Sequence, residues 1–457
     1  MMHAPNVMPR MRPFLAQTAA FAKGAASPRE FLEACLADLE TWEPKVGAFV
    51  TLSAASARAA AERSSERWRA GRPLSPIDGM PVGIKDIIET ADMPTEMGSP
   101  LFAGWRSDKD AASVAALRAA GAVILGKTVT TEFAANEPRG TRNPWNVAHT
   151  PGGSSSGSAA AVATGMVSAA LGTQVIGSVL RPASFCGCFG FKPSVNALNR
   201  EGSHDYQSQS CTGIIAASLE DTWQVAYEIV QRVGGDAGTP GLIGPDKAPA
   251  SVKPRRLAVL ETSGWAVAEP AAKSCLQDAV QSLRAAGIEV VGRHEDAEVA
   301  QIESELAASL TVSQTINAFE TRWFLNNCRE RDASKLSRIM HTRLEESERL
   351  TLEDYRTMLR ERARIRARYG ELAANCDGCI TLAAPGPAPA GLQATGNPQF
   401  AVPSSLLGVP AITLPVFHVD GMPLGLQLLG YANADARAFA VAAWLRDHLG
   451  AGAGKSA

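Results

Sequence analysis

No stretch of this chain is both uncharged and apolar for the length that a membrane span requires. The nearest, Ala159 to Ile176, is interrupted by Thr164, Gly165, Ser168, Gly172, Thr173 and Gln174, whereas a spanning helix takes about 20 predominantly apolar residues. The N-terminus makes a poor signal peptide, because the stretch after Arg10 and Arg12 is broken by Gln17, Thr18 and Lys23. An excess of charge of either sign is missing as well. The 44 Lys plus Arg and 46 Asp plus Glu leave a net -2 over 457 residues, which offers no polyanion-binding surface. Cysteine is sparse: eight residues make no disulfide scaffold, and the close pairs Cys186/Cys188 and Cys376/Cys379 lack a second Cys or His pair at zinc spacing. All eight read as reduced thiols of a cytoplasmic chain, with neither membrane nor nucleic acid as a partner.

What is present is 46% hydrophobic residues, with 40 Gly and 28 Pro, so a sizeable core joined by many tight loops is expected. Ser27-Pro28-Arg29-Glu30 reads as an N-cap, a first-turn proline and a capping-box glutamate, opening a helix on Phe31, Leu32, Cys35, Leu36 and Leu39. The Ala-rich run 54–70 predicts a second helix, Met80 to Ile84 a strand leading into Lys85-Asp86, 111–119 a helix and Ala122 to Leu125 another strand. Residues 234–253 read as a loop or boundary, followed by a strand at 256–261, a helix at 270–286 and a strand at 288–291. This alternation indicates an α/β fold.

Charge is unevenly spread. The 38 residues between Arg142 and Arg181 and the 42 between Asp377 and Asp420 contain no Asp, Glu, Lys or Arg, so both stretches are expected to cross the interior or line a cleft. Residues 320–370, with Arg343, Glu345, Glu346, Glu348 and Arg349 at helical spacing, read as a solvated face.

Two motifs match by letter and fail by context. Gly121 to Thr128 spells a P-loop, but its intervening residues are themselves a strand and a helix precedes it, the reverse of a phosphate cradle. Gly153-Ser154-Ser155-Ser156-Gly157 spells a nucleophile elbow centred on Ser155, yet the entry 143–151 carries two prolines and is no strand. His204, His294, His341, His418 and His448 remain as bases for that alternative, none in a distinctive context.

Another arrangement uses the same loop differently. Lys85 ends an apolar strand, where burial lowers a lysine pKa toward that of a neutral base; Ser154 lies in the uncharged Gly/Ser loop, and Ser178 follows 24 residues later. Lysine replaces histidine as the base in Ser-Lys variants of the hydrolytic triad.

At these residues the chain resembles the amidase signature family. The matching segments are GMPVGIKD at 79–86, TPGGSSSGSAAA at 150–161, RPASFCGCFGFKP at 181–193 and GMPLGLQLLG at 421–430. The resemblance implies a mixed twisted β-sheet surrounded by helices in a single large domain at 27–450. It would follow an N-terminal extension at 1–26, have its catalytic core at 79–222, and include a variable helical region at 229–380 that shapes the substrate pocket. By the same resemblance Ser178 is the nucleophile, Ser154 a proton shuttle carried on a cis peptide bond, and Lys85 the base. Val175, Ile176, Gly177 and Ser178 supply the oxyanion hole, with Thr173 and Arg181 beside it. No metal or cofactor is implied, and the expected partners are a small amide or carbamate and a second copy of the chain.

The chain departs from the family pattern in three places. Ile176 stands where a glycine is usual and, being β-branched, disfavours positive φ, so it is expected to alter the oxyanion turn or the substrate range. Ser210 stands at an expected aspartate. Leu180 occupies the usual arginine position and Arg181 follows it, either to hold a substrate carboxylate or, as the preferred reading, to pair within the fold. Val175, Ile176, Val179 and Leu180 make the surroundings of Ser178 apolar, which favours an aryl or alkyl amide, anilide or carbamate over a small dicarboxylate amide. The expected function is therefore C-N bond hydrolysis through an acyl-enzyme; the competing one is a partner-dependent or inactive subunit, such as the glutaminase-type chain of a transamidating complex. Labelling by a fluorophosphonate separates the two serines: it is expected to vanish in Ser178→Ala, and its loss in Ser155→Ala alone would establish the elbow.

Overall fold

A computed structural model describes residues 8–453, so residues 1–7 of the expected N-terminal extension lie outside it. Eleven strands form one mixed sheet: β1 (Phe49–Leu52), β2 (Pro81–Lys85), β3 (Val123–Thr128), β4 (Ala169–Gln174), β5 (Phe189–Lys192), β6 (Cys211–Ala216), β7 (Arg256–Val259), β8 (Glu289–Val291), β9 (Cys379–Leu382), β10 (Ala411–Val419) and β11 (Met422–Leu429). Their order is β1-β3-β2-β4-β6-β5-β10-β11-β9-β7-β8. Parallel pairing joins β2 to β3 and to β4, and β7 to β8 and to β9; the other pairs are antiparallel.

The central strands are largely apolar because both sheet faces are covered. Val123 and Leu125 pack on one side with Leu32, Leu36 and Ala159, whereas Ile124 packs on the other with Val114, Leu117 and Trp223. The same alternation puts Ala169 and Leu171 on one face and Ala170 on the other, the two-residue period of a strand. The elements expected from the sequence form with small end shifts: helices at Pro28–Val46, Ala54–Arg69, Ala112–Ala119 and Pro270–Ala285, and strands β2, β3, β7 and β8. At the first helix Ser27 Oγ accepts from the Glu30 N–H, but the Glu30 carboxylate takes the Ser27 hydroxyl proton and not its amide, so only half of a capping box forms. The run 121–128 is the turn that follows the helix Ala112–Ala119 and then β3.

Residues 234–253 are a loop and no boundary. Leu242 is buried with its N–H on Ala197 O, and β7, which follows, joins the same sheet. Both uncharged stretches run through the interior: the helix Ser156–Ala163, β4, the helix Leu180–Cys186, β9, the helix Val402–Leu407 and much of β10 are buried. The helix Ser156–Ala163 is built of small residues for a steric reason. A Cβ on Gly157 would lie 2.1 Å from Ala48 O and 2.4 Å from Val129 N. No helix among the described residues is long and apolar enough to cross a membrane.

The segment before the first long helix is fastened to the core. Phe14 and Phe21 are buried, and the N–H groups of Phe14 and Leu15 both donate, at 2.9 Å, to the carboxylate of Asp221. Burial raises the pKa of that carboxyl to about 6, against which the two amides pull. Asp221→Ala strips both donors of their acceptor and is expected to cost about 2–4 kcal/mol, read as a lowered midpoint of thermal unfolding together with early proteolytic cleavage near residues 23–26.

Candidate active site

The register of two parallel strands assembles the site. Ile84 of β2 lies opposite Leu171 of β4, so Lys85 and Thr173 meet at the C-terminal ends of the strands, where open α/β sheets bind their ligands. Lys85 is fully buried. Its Nζ donates to Ser154 Oγ at 2.7 Å and Thr173 Oγ1 at 2.7 Å, with Thr173 O at 3.4 Å. Burial lowers its pKa to about 7, opposed by the charge of Asp205. Ser154 follows a cis peptide bond from Gly153, and its carbonyl accepts from the Thr131 N–H at 3.3 Å.

Ser178 sits after β4, half-buried, in a turn tied to the Ser154 loop by the Ser155 N–H, which donates to Ser178 O at 3.3 Å. The N–H groups of Ile176, Gly177 and Ser178 donate to no acceptor among the described residues. Neither Val175 nor Ile176 has positive φ, and Gly177 does not either. The turn therefore needs no left-handed residue at 176, and the expected distortion by Ile176 is absent; its side chain lines the cleft instead.

Gln174 braces this turn, a role that no local motif announces. Its Oε1 accepts from the N–H groups of Val179 at 2.9 Å and Leu180 at 3.1 Å, and its Nε2 donates to Ser405 Oγ at 3.1 Å. Ser405 Oγ in turn donates to Ile176 O at 3.1 Å, and Gln209 Nε2 to Val175 O at 3.2 Å. Arg181, buried, makes no ion pair among the described residues, and its Nε is unmatched. Its Nη2 donates to Gly153 O at 2.7 Å and Thr395 Oγ1 at 3.0 Å, pinning the loop of Ser154 to the 395 loop.

The carboxylate absent at 210 is present nearby. Asp205, buried, faces Lys85 and Thr173; burial raises its pKa, with Lys85 and the Thr173 hydroxyl lowering it. Ser210 Oγ donates to Asp205 O at 2.6 Å and so positions that residue.

An open cleft of about 90 Å³ leads to Ser178, lined by Val175, Ile176, Gly177, Arg181 and Asp205 and, on the far wall, by Leu310, Gln314, Asn317, Thr321 and Arg343. The far wall comes from the helices Ser309–Asp332 and Arg338–Glu348. Arg343 thus departs from the solvated face expected for 320–370, whereas Glu345, Glu346, Glu348 and Arg349 are exposed as expected. A second, narrow chamber of about 30 Å³, lined by Ile87, Met97, Phe324, Leu325 and Met340, shares Phe133, Gln207, Thr321 and Arg343 with the cleft.

The elbow reading fails on geometry. Ser155 Oγ donates to Thr173 O at 3.4 Å, and none of the five histidines reaches it. His204 pairs with Glu89 at 3.0 Å, His341 with Ala333 O at 3.0 Å and His448 with Ser282 at 3.0 Å; His418 packs on Trp145, and His294 lines a separate surface pocket.

Comparison with known proteins agrees with this architecture. A profile of the amidase family matches residues 30–439, and the chain belongs to the amidase signature family. Among curated relatives, a glutamyl-tRNA(Gln) amidotransferase subunit from Chloroflexus aggregans is 32% identical over 90% of this chain and 91% of its own. Its counterpart from Anaeromyxobacter sp. strain K is 32% identical over 94% and 95%. A crystal structure of an amidase superposes with a TM-score of 0.83 at 26% identity, covering 96% of this chain and 100% of that one. The peptide amidase of Stenotrophomonas maltophilia gives a TM-score of 0.79 at 25% identity, covering 96% of each.

Gln174→Leu leaves two buried N–H groups without an acceptor, at about 1–3 kcal/mol each. It is expected to lower the unfolding midpoint, and Gln174→Glu, which keeps the acceptor oxygens, is expected to lower it less.

Proposed function

We propose that this chain is a serine hydrolase that cleaves the C-N bond of a small amide, anilide or carbamate through an acyl-enzyme on Ser178. The observation that carries this is a fully buried lysine, its pKa near 7, whose Nζ lies 2.7 Å from Ser154 Oγ in a loop tied through the Ser155 N–H to Ser178, which lines the cleft. In its neutral form Lys85 accepts the Ser154 proton while Ser154 takes that of Ser178, which attacks the carbonyl carbon. Negative charge then forms on the carbonyl oxygen, and the uncommitted N–H groups of Ile176, Gly177 and Ser178 are the donors available to it. The proton returns along the same path to the leaving nitrogen, the C-N bond breaks, and water hydrolyses the ester by the same base. Thr173 holds Lys85 in place and Arg181 holds the loop that carries Ser154, so both act as positioning residues.

One observation favours a second reading. The curated relatives named above are subunits of an amidotransferase, so the chain would act only with a partner. Turnover of a simple amide by the purified chain alone excludes that reading, and silence with stoichiometric co-purification of a second protein supports it.

With a 4-nitroanilide panel, Ser178→Ala and Lys85→Ala are expected to reduce kcat by about 1000-fold or more, as loss of nucleophile or base does in serine hydrolases. The sign of the pH effect follows from the lowered lysine pKa. Protonated Lys85 cannot accept, so kcat/KM rises with pH through about 7 and levels above it. A rate independent of pH between 6 and 8 would remove Lys85 from the role of base.

A further inference from the structure

Two hydroxyls compete for one lone pair. Neutral Lys85 has two N–H bonds and a single lone pair, and only a hydroxyl whose proton points at that lone pair can give the proton up. Ser154 Oγ and Thr173 Oγ1 both lie 2.7 Å from Nζ, so distance does not choose between them. The third neighbour, Thr173 O at 3.4 Å, is a carbonyl and takes an N–H. Base catalysis through Ser154 therefore requires Thr173 Oγ1 to accept the other N–H, with its own proton turned away from the amine.

The acceptor set against that proton is the carboxylate of Asp205. Backbone pairing holds it there, because residues 202–204 run beside the turn that follows the lysine. The Glu89 N–H donates to Gly202 O at 2.9 Å, Ile88 bridges Ser203, and the His204 N–H donates to Ile87 O at 3.0 Å. From the other side Ser210 Oγ fixes the Asp205 carbonyl. The carboxylate is fully buried and its Oδ2 has no partner, while the cations acting on it are Lys85 and Arg200, the latter engaged by Asp236 at 2.6 Å. Of the other titratable groups around it, His204 turns to Glu89 at 3.0 Å, burial keeps the Cys211 thiol neutral, and Arg343 stands on the far wall of the cleft. A carboxylate takes a charge-assisted hydrogen bond, about twice as strong as a neutral one, so it wins the Thr173 proton from the neutral amine.

We propose that Asp205 is a positioning residue of the base: by accepting the Thr173 hydroxyl proton it makes Thr173 an acceptor for Lys85 and so directs the lysine lone pair at Ser154. This rests on the hydrolase reading above and adds a residue to its machinery. The same charge has a second effect. Facing the ammonium form, it favours protonated Lys85 and opposes the lowering by burial. Asp205 thus aims the base and at the same time holds part of it protonated. The two effects separate in a pH profile, the first in the rate above the lysine pKa and the second in the position of the acid limb.

The test is the pH profile of kcat/KM, taken with the 4-nitroanilide that the wild type turns over fastest. Asp205→Ala lets the Thr173 proton occupy the lone pair, and is expected to lower the plateau by about tenfold or more, out of the roughly 100- to 10,000-fold that a positioned base supplies. Its acid limb should move below about 7, because the ammonium has lost its counter-charge. Asp205→Asn, which keeps the shape and an acceptor oxygen, should show the same shift of the limb with a smaller loss of plateau. In a Thr173→Val background, where no second hydroxyl competes, Asp205→Ala should change the plateau by about twofold or less. A merely structural role would lower the plateau alike in both backgrounds and leave the limb in place. An unchanged plateau in Asp205→Ala, an equal loss in the Thr173→Val background, or a limb in Asp205→Asn that stays or rises would each overturn the assignment. Failure of the hydrolase reading shows up separately, as a wild-type chain that neither turns over an anilide nor is labelled at Ser178 by a fluorophosphonate, and it removes this assignment as well.

Discussion

The site depends on keeping one lysine dry. Burial disfavours the ammonium form of Lys85 and lowers its pKa to about 7, which is what the proposed role as base requires. The sheet is covered on both faces, β2 and β4 are buried to their last residues, and the helix behind the serine loop is so tightly seated that Gly157 has no room for a methyl group. A charged residue in either long neutral stretch would bring water or a counter-ion to the same place. The first of the two charge-free runs supplies both hydroxyls that hold that amine, Ser154 and Thr173.

Around that fixed centre the binding cleft is built from different material. Its inner wall is the turn 175–178 and the loop of Asp205, both tied down by side-chain amides and hydroxyls. Its outer wall is two helices whose solvent faces are densely charged and whose inner faces carry Asn317, Thr321 and Arg343. The two walls of the cleft are therefore supplied by separate parts of one fold.

The inner part was legible in the sequence and the outer part was not, for physical reasons. A lysine ending an apolar strand, a Gly/Ser loop and a serine at fixed spacing are local patterns, and the structure puts Lys85 against Ser154, with Ser178 in the adjoining turn. Gln174, Asp205 and Arg343 were hidden because their importance lies in partners distant in the chain. Asp205 could have been found by asking which acidic residue near 210 stood in an otherwise neutral context. Arg343 could not, since a helix with charges all round gives no sign of which one turns inward. The expected harm from Ile176 was inferred from glycine at that position in the family, but the turn holds 176 without a positive φ, so the isoleucine changes the wall and leaves the backbone alone.

One tie bears on how the molecule is made. The turn at 175–178 is braced from Ser405, and the arginine behind the serine loop leans on Thr395, both more than 200 positions later in the chain. β5 likewise waits for β10 before the two halves of the sheet join. During synthesis, which releases the N-terminal part first, the ribosome-bound chain holds the lysine and both serines long before it holds their scaffold. A nascent chain therefore carries the lysine and both serines without the ties that hold their turn and loop, and those ties form only when the last part of the protein closes over the first half.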